Sequence, residues 1–142
     1  MNHYVLVTGG REITEIDAGD AISDVLTFLK GFYGPKLRLM HGGARGIDQI
    51  AAKCAEILEI PAKSFLPDWK LGKRAGIERN ERMCALLVDW EHQGHSVEVI
   101  AFPGGRGTAH CARFADQLGL NVTQIPLQPP DQPVYEQPTL GV

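Results

Sequence analysis

The chain has 142 residues, 44% apolar and 22% charged, with a formal net charge of −3. A single domain of that size buries roughly 68–70% of the surface its unfolded chain exposes. No apolar run approaches the ~20 residues that cross a bilayer. The mild negative charge also disfavours a surface that tracks a nucleic-acid backbone, which usually makes a domain basic.

Tyr4–Val7 is a short apolar run, read as a first strand buried on both faces, and it ends in Thr8-Gly9-Gly10-Arg11. It is too short for the apolar region of a signal peptide. Residues 15–32 place Ile22, Val25, Leu26 and Leu29 at helical spacing with Asp17, Asp20 and Asp24 opposite, and Gly34-Pro35 stops that helix. Leu37–Met40 is a second strand running into His41-Gly42-Gly43. Ile47, Ile50, Ala51, Cys54, Ile57 and Leu58 form the stripe of a helix over 47–59. Pro61 ends it, and Ala62–Leu66 reads as a third strand.

Residues 67–76 are polar and irregular. Residues 77–90 carry Met83, Leu86, Leu87 and Trp90 on one helical face. Val97–Phe102 is a fourth strand entering Pro103-Gly104-Gly105, residues 108–118 form a helix closed by Gly119, and Asn121–Leu127 is a last strand. Strands alternating with helices through short connections imply an α/β, Rossmann-like three-layer sandwich around a mostly parallel sheet. Residues 1–127 are the expected domain. The segment 128–142, with Pro129, Pro130, Pro133 and Pro138, reads as a disordered or loosely docked tail.

Three of the connections are glycine turns that carry an arginine and lead into a helix. In a parallel sheet all three open on the carboxyl edge, where ligands bind. Backbone amides and the positive end of a helix dipole suit an anion there. In the first turn, Gly9 and Gly10 would let a phosphate approach the backbone, and Arg11 adds a donor. In the second, Gly42, Gly43 and Arg45 precede Asp48. That carboxylate can favour the helix dipole, accept from a ribose hydroxyl, or hold Arg45. His41 reads equally as a strand-end residue bonded to backbone or as a base.

The third turn is the most specific. Pro103 sets the approach, Gly104, Gly105 and Gly107 open the backbone around Arg106, and Thr108 is placed to cap the next helix and to offer a hydroxyl.

Nine of the 14 Lys and Arg residues lie in or beside these turns or in the 70–82 segment. A locally basic site on an acidic protein fits a small anion better than a polymer. Within the 69–82 segment, Lys73, Arg79, Asn80 and Arg82 read as phosphate-facing donors and Trp69 as a stacking platform for a base. Cys54, Cys84 and Cys111 are widely spaced without a CxxC pair, which predicts reduced thiols in a cytoplasmic protein. Cys111 follows the third turn, where a thiol pKa can fall. His92, His95, His110 and Cys111 make only a weak metal pattern, so neither metal nor cofactor is expected.

Taken in order, GGR, HGGARGID, W-x-x-G-K-x-A-G-x-x-R-N-x-x-M and FPGGRGT resemble the small stand-alone bacterial and phage members of the SLOG superfamily. Those are Rossmann-like relatives of the LOG enzymes and of the DNA-processing protein DprA. The resemblance covers about residues 4–125. It implies binding of nucleotides or nucleotide-derived ligands, and a homodimer or homotetramer, packed through a face such as Leu86–Trp90.

LOG enzymes cleave the N-glycosidic bond of a nucleoside monophosphate. Their R-K-x-x-M signature falls on Arg79, Asn80 and Met83, with asparagine in place of lysine. Their P-G-G-x-G-T-x-x-E signature falls on Pro103, Gly104, Gly105, Gly107, Thr108 and then Cys111, where the family carries its glutamate. The expected function is therefore capture of a phosphorylated nucleotide derivative by a sensor or sequestering protein. The alternative is a LOG-like hydrolase with Arg79 on phosphate and Asp48 or Glu81 as carboxylate. A DprA-like single-strand DNA binder is the third reading. No membrane partner is implied.

Overall fold

A computed structural model describes residues 1–127. The expected 128–142 tail lies outside the described residues. Strand β1 (His3–Thr8) sends Val5 and Val7 to one side of the sheet and Leu6 to the other, as a strand's period of two requires. All three are buried, so this run is apolar without alternation because both faces are covered.

Helix α1 (Glu15–Tyr33) is started by Thr14, whose Oγ1 accepts from the Asp17 amide at 3.4 Å. It ends where Gly34 turns to φ +60 and Pro35 follows, as expected. Then come β2 (Leu37–His41), α2 (Ile47–Ile57), β3 (Ala62–Ser64), α3 (Ala75–His92), β4 (Ser96–Ala101), α4 (Arg106–Gln117) and β5 (Val122–Gln124). All pairings are parallel and the strand order is β3-β2-β1-β4-β5. This is the Rossmann-like sandwich that the alternation implies.

Helices α1 and α2 seal one face, with Ile22, Leu26, Ile47 and Ala51 against Val5, Val7, Leu39 and Ile100. On the other face α3 and α4 bring Met83, Leu87, Cys111 and Ala115 against Leu6, Met40 and Val99. Burying each large apolar side chain contributes about 1.5–3 kcal/mol. The chain moves outward from β1 through β2 to β3, then returns to the other side of β1 through α3. The strand order therefore reverses between β1 and β4, and a crevice opens beyond the carboxyl ends of those two strands.

Several boundaries differ from expectation for local reasons. β3 stops at Ser64 and only the Phe65 amide still reaches His41 O (2.8 Å), because Pro67 cannot continue the ladder. β5 is likewise cut at Gln124; the Ile125 amide makes the last bond to Ala101 O (2.9 Å), and Pro126 has no N–H. The irregular stretch contains a 3-10 segment, Trp69–Arg74, capped by Asp68 and broken by Gly72 at φ +63. Helix α4 starts two residues early, so Thr108 sits inside its first turn and is not its cap.

At the amino edge of the sheet Trp90 stacks on Tyr4 (centroids 3.8 Å apart) within the same chain. His3 there bridges Ser96 and Glu98, at 2.6 Å to each. Among the described residues no helix is long and apolar enough to cross a membrane.

Candidate functional site

The three glycine turns meet at the β1–β4 switch point, but they do different work. A Cβ on Gly9 would fall 2.7 Å from Ile47 Cβ, so Gly9 lets α2 pack on the end of β1. Gly10 donates to Pro103 O (2.8 Å) and accepts from the Ile47 amide (3.1 Å). A Cβ on Gly104 would lie 2.8 Å from Gly10 N, so turns one and three touch backbone to backbone. These glycines are needed by packing. Phosphate access is not what demands them.

The second turn is equally occupied. The Gly43 amide donates to His41 Nδ1 (3.0 Å) and the Ala44 amide to Asp48 Oδ2 (3.2 Å). Of the two readings of His41, the structure carries the strand-end one, and burial and then Arg79 hold its pKa below the usual histidine value. Gly46 takes φ +75, and a Cβ there would lie 2.8 Å from Arg11 O.

The third turn is the exception. Nothing among the described residues lies within 4 Å of a Cβ placed on Gly105 or on Gly107, and neither has positive φ. No side chain among the described residues caps Gly105, and the first turn of α4 has no acidic residue. Among the described residues, no acceptor meets the amides of Arg106, Gly107 or Thr108. Three orphan donors thus stand at the positive end of a 12-residue helix.

These donors face a cavity of about 420 Å³. The first turn supplies Thr8, Gly9, Gly10 and Arg11, the second Gly42 and Asp48, and the third Gly105, Arg106, Gly107 and Thr108. Lys73, Arg79 and Asn80 are the other expected residues that line it. Among the described residues Arg11, Lys73 and Arg106 make no ion pair, so the rim carries uncommitted positive charge.

Arg79 is buried and acts as a strut. It donates to Gly42 O, to Phe65 O (3.2 Å) and to Asn80 Oδ1 (2.8 Å), while Asn80 Nδ2 reaches Gly107 O (3.4 Å). The pair ties α3 to both the second and third turns. Among the described residues Arg79 Nη2 has no hydrogen-bond partner.

Asp48 is a buried carboxyl of the cavity. Burial raises its pKa from the ordinary carboxylate value to about 6, against the pull of the Ala44 amide and of Arg79. Such a group exchanges its proton near neutral pH. Cys111 lies elsewhere. It is fully buried behind Thr8, outside the cavity lining, and its pKa is lowered, chiefly by hydrogen bonding from Cys84, with burial opposing.

Other expected residues fall outside this cavity. Glu81 pairs with His110 (3.0 Å), and Arg45 with Glu12 (2.7 Å) on the surface. Arg82 bonds Glu78 and Leu66 O. Pro103 and Gly104 line a neighbouring depression by α4 and β5, and Gly43 and Trp69 a side compartment. Sequence reasoning did not single out Val7, Glu12, Ala44 and Ile77, which also line the cavity. The arginine at 79 had a legible signal: with Met83 and Leu87 it stands at i, i+4, i+8 on the apolar stripe of α3.

A Rossmann-like sheet with a basic, glycine-lined crevice at its switch point defines a class of small α/β domains. The chain belongs to the SLOG superfamily: residues 3–72 match the YspA, cpYpsA-related SLOG family, YAcAr. It is similar to the Gene 61 protein of Mycobacterium phage D29, 36% identical over 127 residues that span 83% of this chain and 92% of that protein. The family match includes the first two turns and ends at Gly72, before α3 and the third turn.

Proposed function

We propose that the protein binds a phosphorylated nucleotide-derived ligand at the carboxyl edge of its sheet, as a sensor or sequestering protein. An NAD-derived metabolite, a nucleoside phosphate and a short cyclic nucleotide are the classes that fit. One observation carries the reading: Gly105 and Gly107 border the cavity with open space where a Cβ would be, beside three unpartnered amides. The fold makes no demand for glycine there, and an anionic group seated on the α4 terminus does. Arg11, Lys73, Arg106 and Nη2 of Arg79 supply charge around that seat. Membership of the superfamily supports a nucleotide-related ligand.

A second reading, LOG-like cleavage of an N-glycosidic bond, is favoured by Asp48 alone. A buried carboxyl with a pKa of about 6 in the same cavity can stabilise a developing oxocarbenium charge or move a proton. No carboxylate stands at Cys111, and Glu81 is committed to His110. The bound state then depends on Asp48 for any chemistry.

Calorimetric titration with nucleoside monophosphates, NAD and ADP-ribose, followed by denaturation and chromatography of the released compound, separates the two. Intact recovery supports capture. Base and ribose 5-phosphate, with turnover lost in Asp48→Asn while binding persists, would establish the hydrolase. If none of these compounds binds, the nucleotide reading fails.

A further inference from the structure

A second cavity, of about 290 Å³, opens beside the first. The two share Arg11, Gly42, Ala44 and Arg79, so they form one continuous crevice with a change of character along it. Beyond the shared residues the wall is Gly43, Leu66, Pro67 and Trp69, with no charged side chain of its own. Trp69 is 69% exposed and Leu66 68%, and the two apolar side chains stand three residues apart at the mouth. A solvent-facing apolar wall continuous with a charged cavity is a mark of a binding surface.

The wall is held in place by polar ties. Asp68 Oδ1 accepts from the Lys70 amide (3.1 Å), which fixes the start of the 3-10 segment, and Arg82 Nη2 donates to Leu66 O (3.1 Å). The same segment contributes Lys73 to the first cavity and Trp69 to the second. Read from Trp69 inward, the crevice is apolar, then holds Asp48 and Arg79, then ends on the orphan amides of α4. A nucleotide has that order of chemistry: planar base, hydroxylated sugar, anionic phosphate.

We infer that the Leu66–Pro67–Trp69 compartment takes the base of the ligand, stacked on the Trp69 indole, and so selects nucleotides over plain sugar phosphates. The inference rests on the phosphate-site reading above and assigns the other end of the same molecule. Stacking on an aromatic side chain favours any base, so the selection is for a planar ring and weakly for its identity.

Adenosine 5′-monophosphate and ribose 5-phosphate differ only at the anomeric carbon, which bears the base in one and a hydroxyl in the other, and this makes them the probes. Equilibrium titration of the full chain is expected to give adenosine 5′-monophosphate an affinity about tenfold or more above that of ribose 5-phosphate. Trp69→Ala lowers the first to the level of the second and leaves ribose 5-phosphate unchanged, while Trp69→Phe stays within about threefold of the parent. The indole emission of the parent shifts on adding the nucleotide. In Trp69→Phe it does not, because Trp90, the other tryptophan, is stacked on Tyr4 at the far edge of the sheet. Equal affinities for the two probes in the parent, or an equal loss of both in Trp69→Ala, would overturn the base site and leave the phosphate reading standing. If neither probe binds, the base site is overturned, and if NAD and ADP-ribose fail to bind as well, the phosphate reading falls with it.

Discussion

Helices α1 and α4 both follow a glycine turn that ends a central strand, yet their amino termini are built for opposite purposes. Thr14 closes α1 with its side chain and Glu15 and Asp17 stand in the first turn, so the dipole is answered from within the chain. Three residues, Glu12, Ile13 and Thr14, also separate Arg11 from α1. Helix α4 starts directly on its turn, with no acidic residue in its first turn and, among the described residues, no side-chain cap on Gly105 and three amides without acceptors. A self-sufficient terminus lies outside the crevice lining, and an unsatisfied one borders it. The lesson is that a glycine-arginine turn before a helix marks a ligand site only where the helix has not already capped itself.

Substitutions that separate packing glycines from cavity glycines bear on this contrast most strongly. Gly105→Val is expected to weaken binding of adenosine 5′-monophosphate by about a hundredfold, of order 3 kcal/mol, by filling the seat beside the orphan amides. Thermal stability should stay near the parent value, since the new side chain meets nothing in the fold. Gly9→Val reverses the pattern. Its Cβ collides with Ile47, and a loss of about 2–3 kcal/mol in denaturant unfolding is expected. If Gly9→Val folded as well as the parent but lost ligand, the first turn would be a phosphate seat after all.

Asp48 gives a smaller, pH-dependent effect. Its folded pKa of about 6 lies above the ordinary carboxylate value of 3.8, so the folded state binds the proton more tightly than the unfolded chain. The contribution of this group to stability is then fully present below about pH 4 and is lost as pH rises through 6. Asp48→Asn removes that penalty. It should stabilise the protein by about 1–3 kcal/mol at pH 7–8, with the advantage vanishing at pH 4. Unfolding curves at the two pH values check it; a variant less stable at both would show that the carboxylate is a net tie. The smallest effect belongs to α1. Thr14→Ala should cost about 1 kcal/mol through the lost cap and leave ligand affinity unchanged.

Much of the architecture is legible in the sequence because its signals are local. The stripe Ile47, Ile50, Ala51, Cys54 marks α2, and Gly34-Pro35 marks the end of α1. The convergence of three turns follows from parallel strands alone. The errors arise where a residue has two local meanings. Thr108 is a good cap residue, yet it lies in the first turn of α4, because Gly105 takes the extended backbone that precedes the helix. Gly9 and Gly105 look alike in the chain; only what stands opposite each missing Cβ tells them apart, and that is a long-range fact. Arg79 and Arg82 likewise differ by burial, since one sits on the apolar stripe of α3 and the other reaches Glu78 at its surface.

The central claim is that α4 offers an anion seat left open by the fold. A native mass spectrum of protein purified without added ligand, recorded for the parent and for Gly105→Val, tests it most directly. The account predicts a bound increment in the parent whose fragments include a base and a phosphorylated ribose, absent from the folded variant. The same increment retained undiminished in Gly105→Val would contradict it.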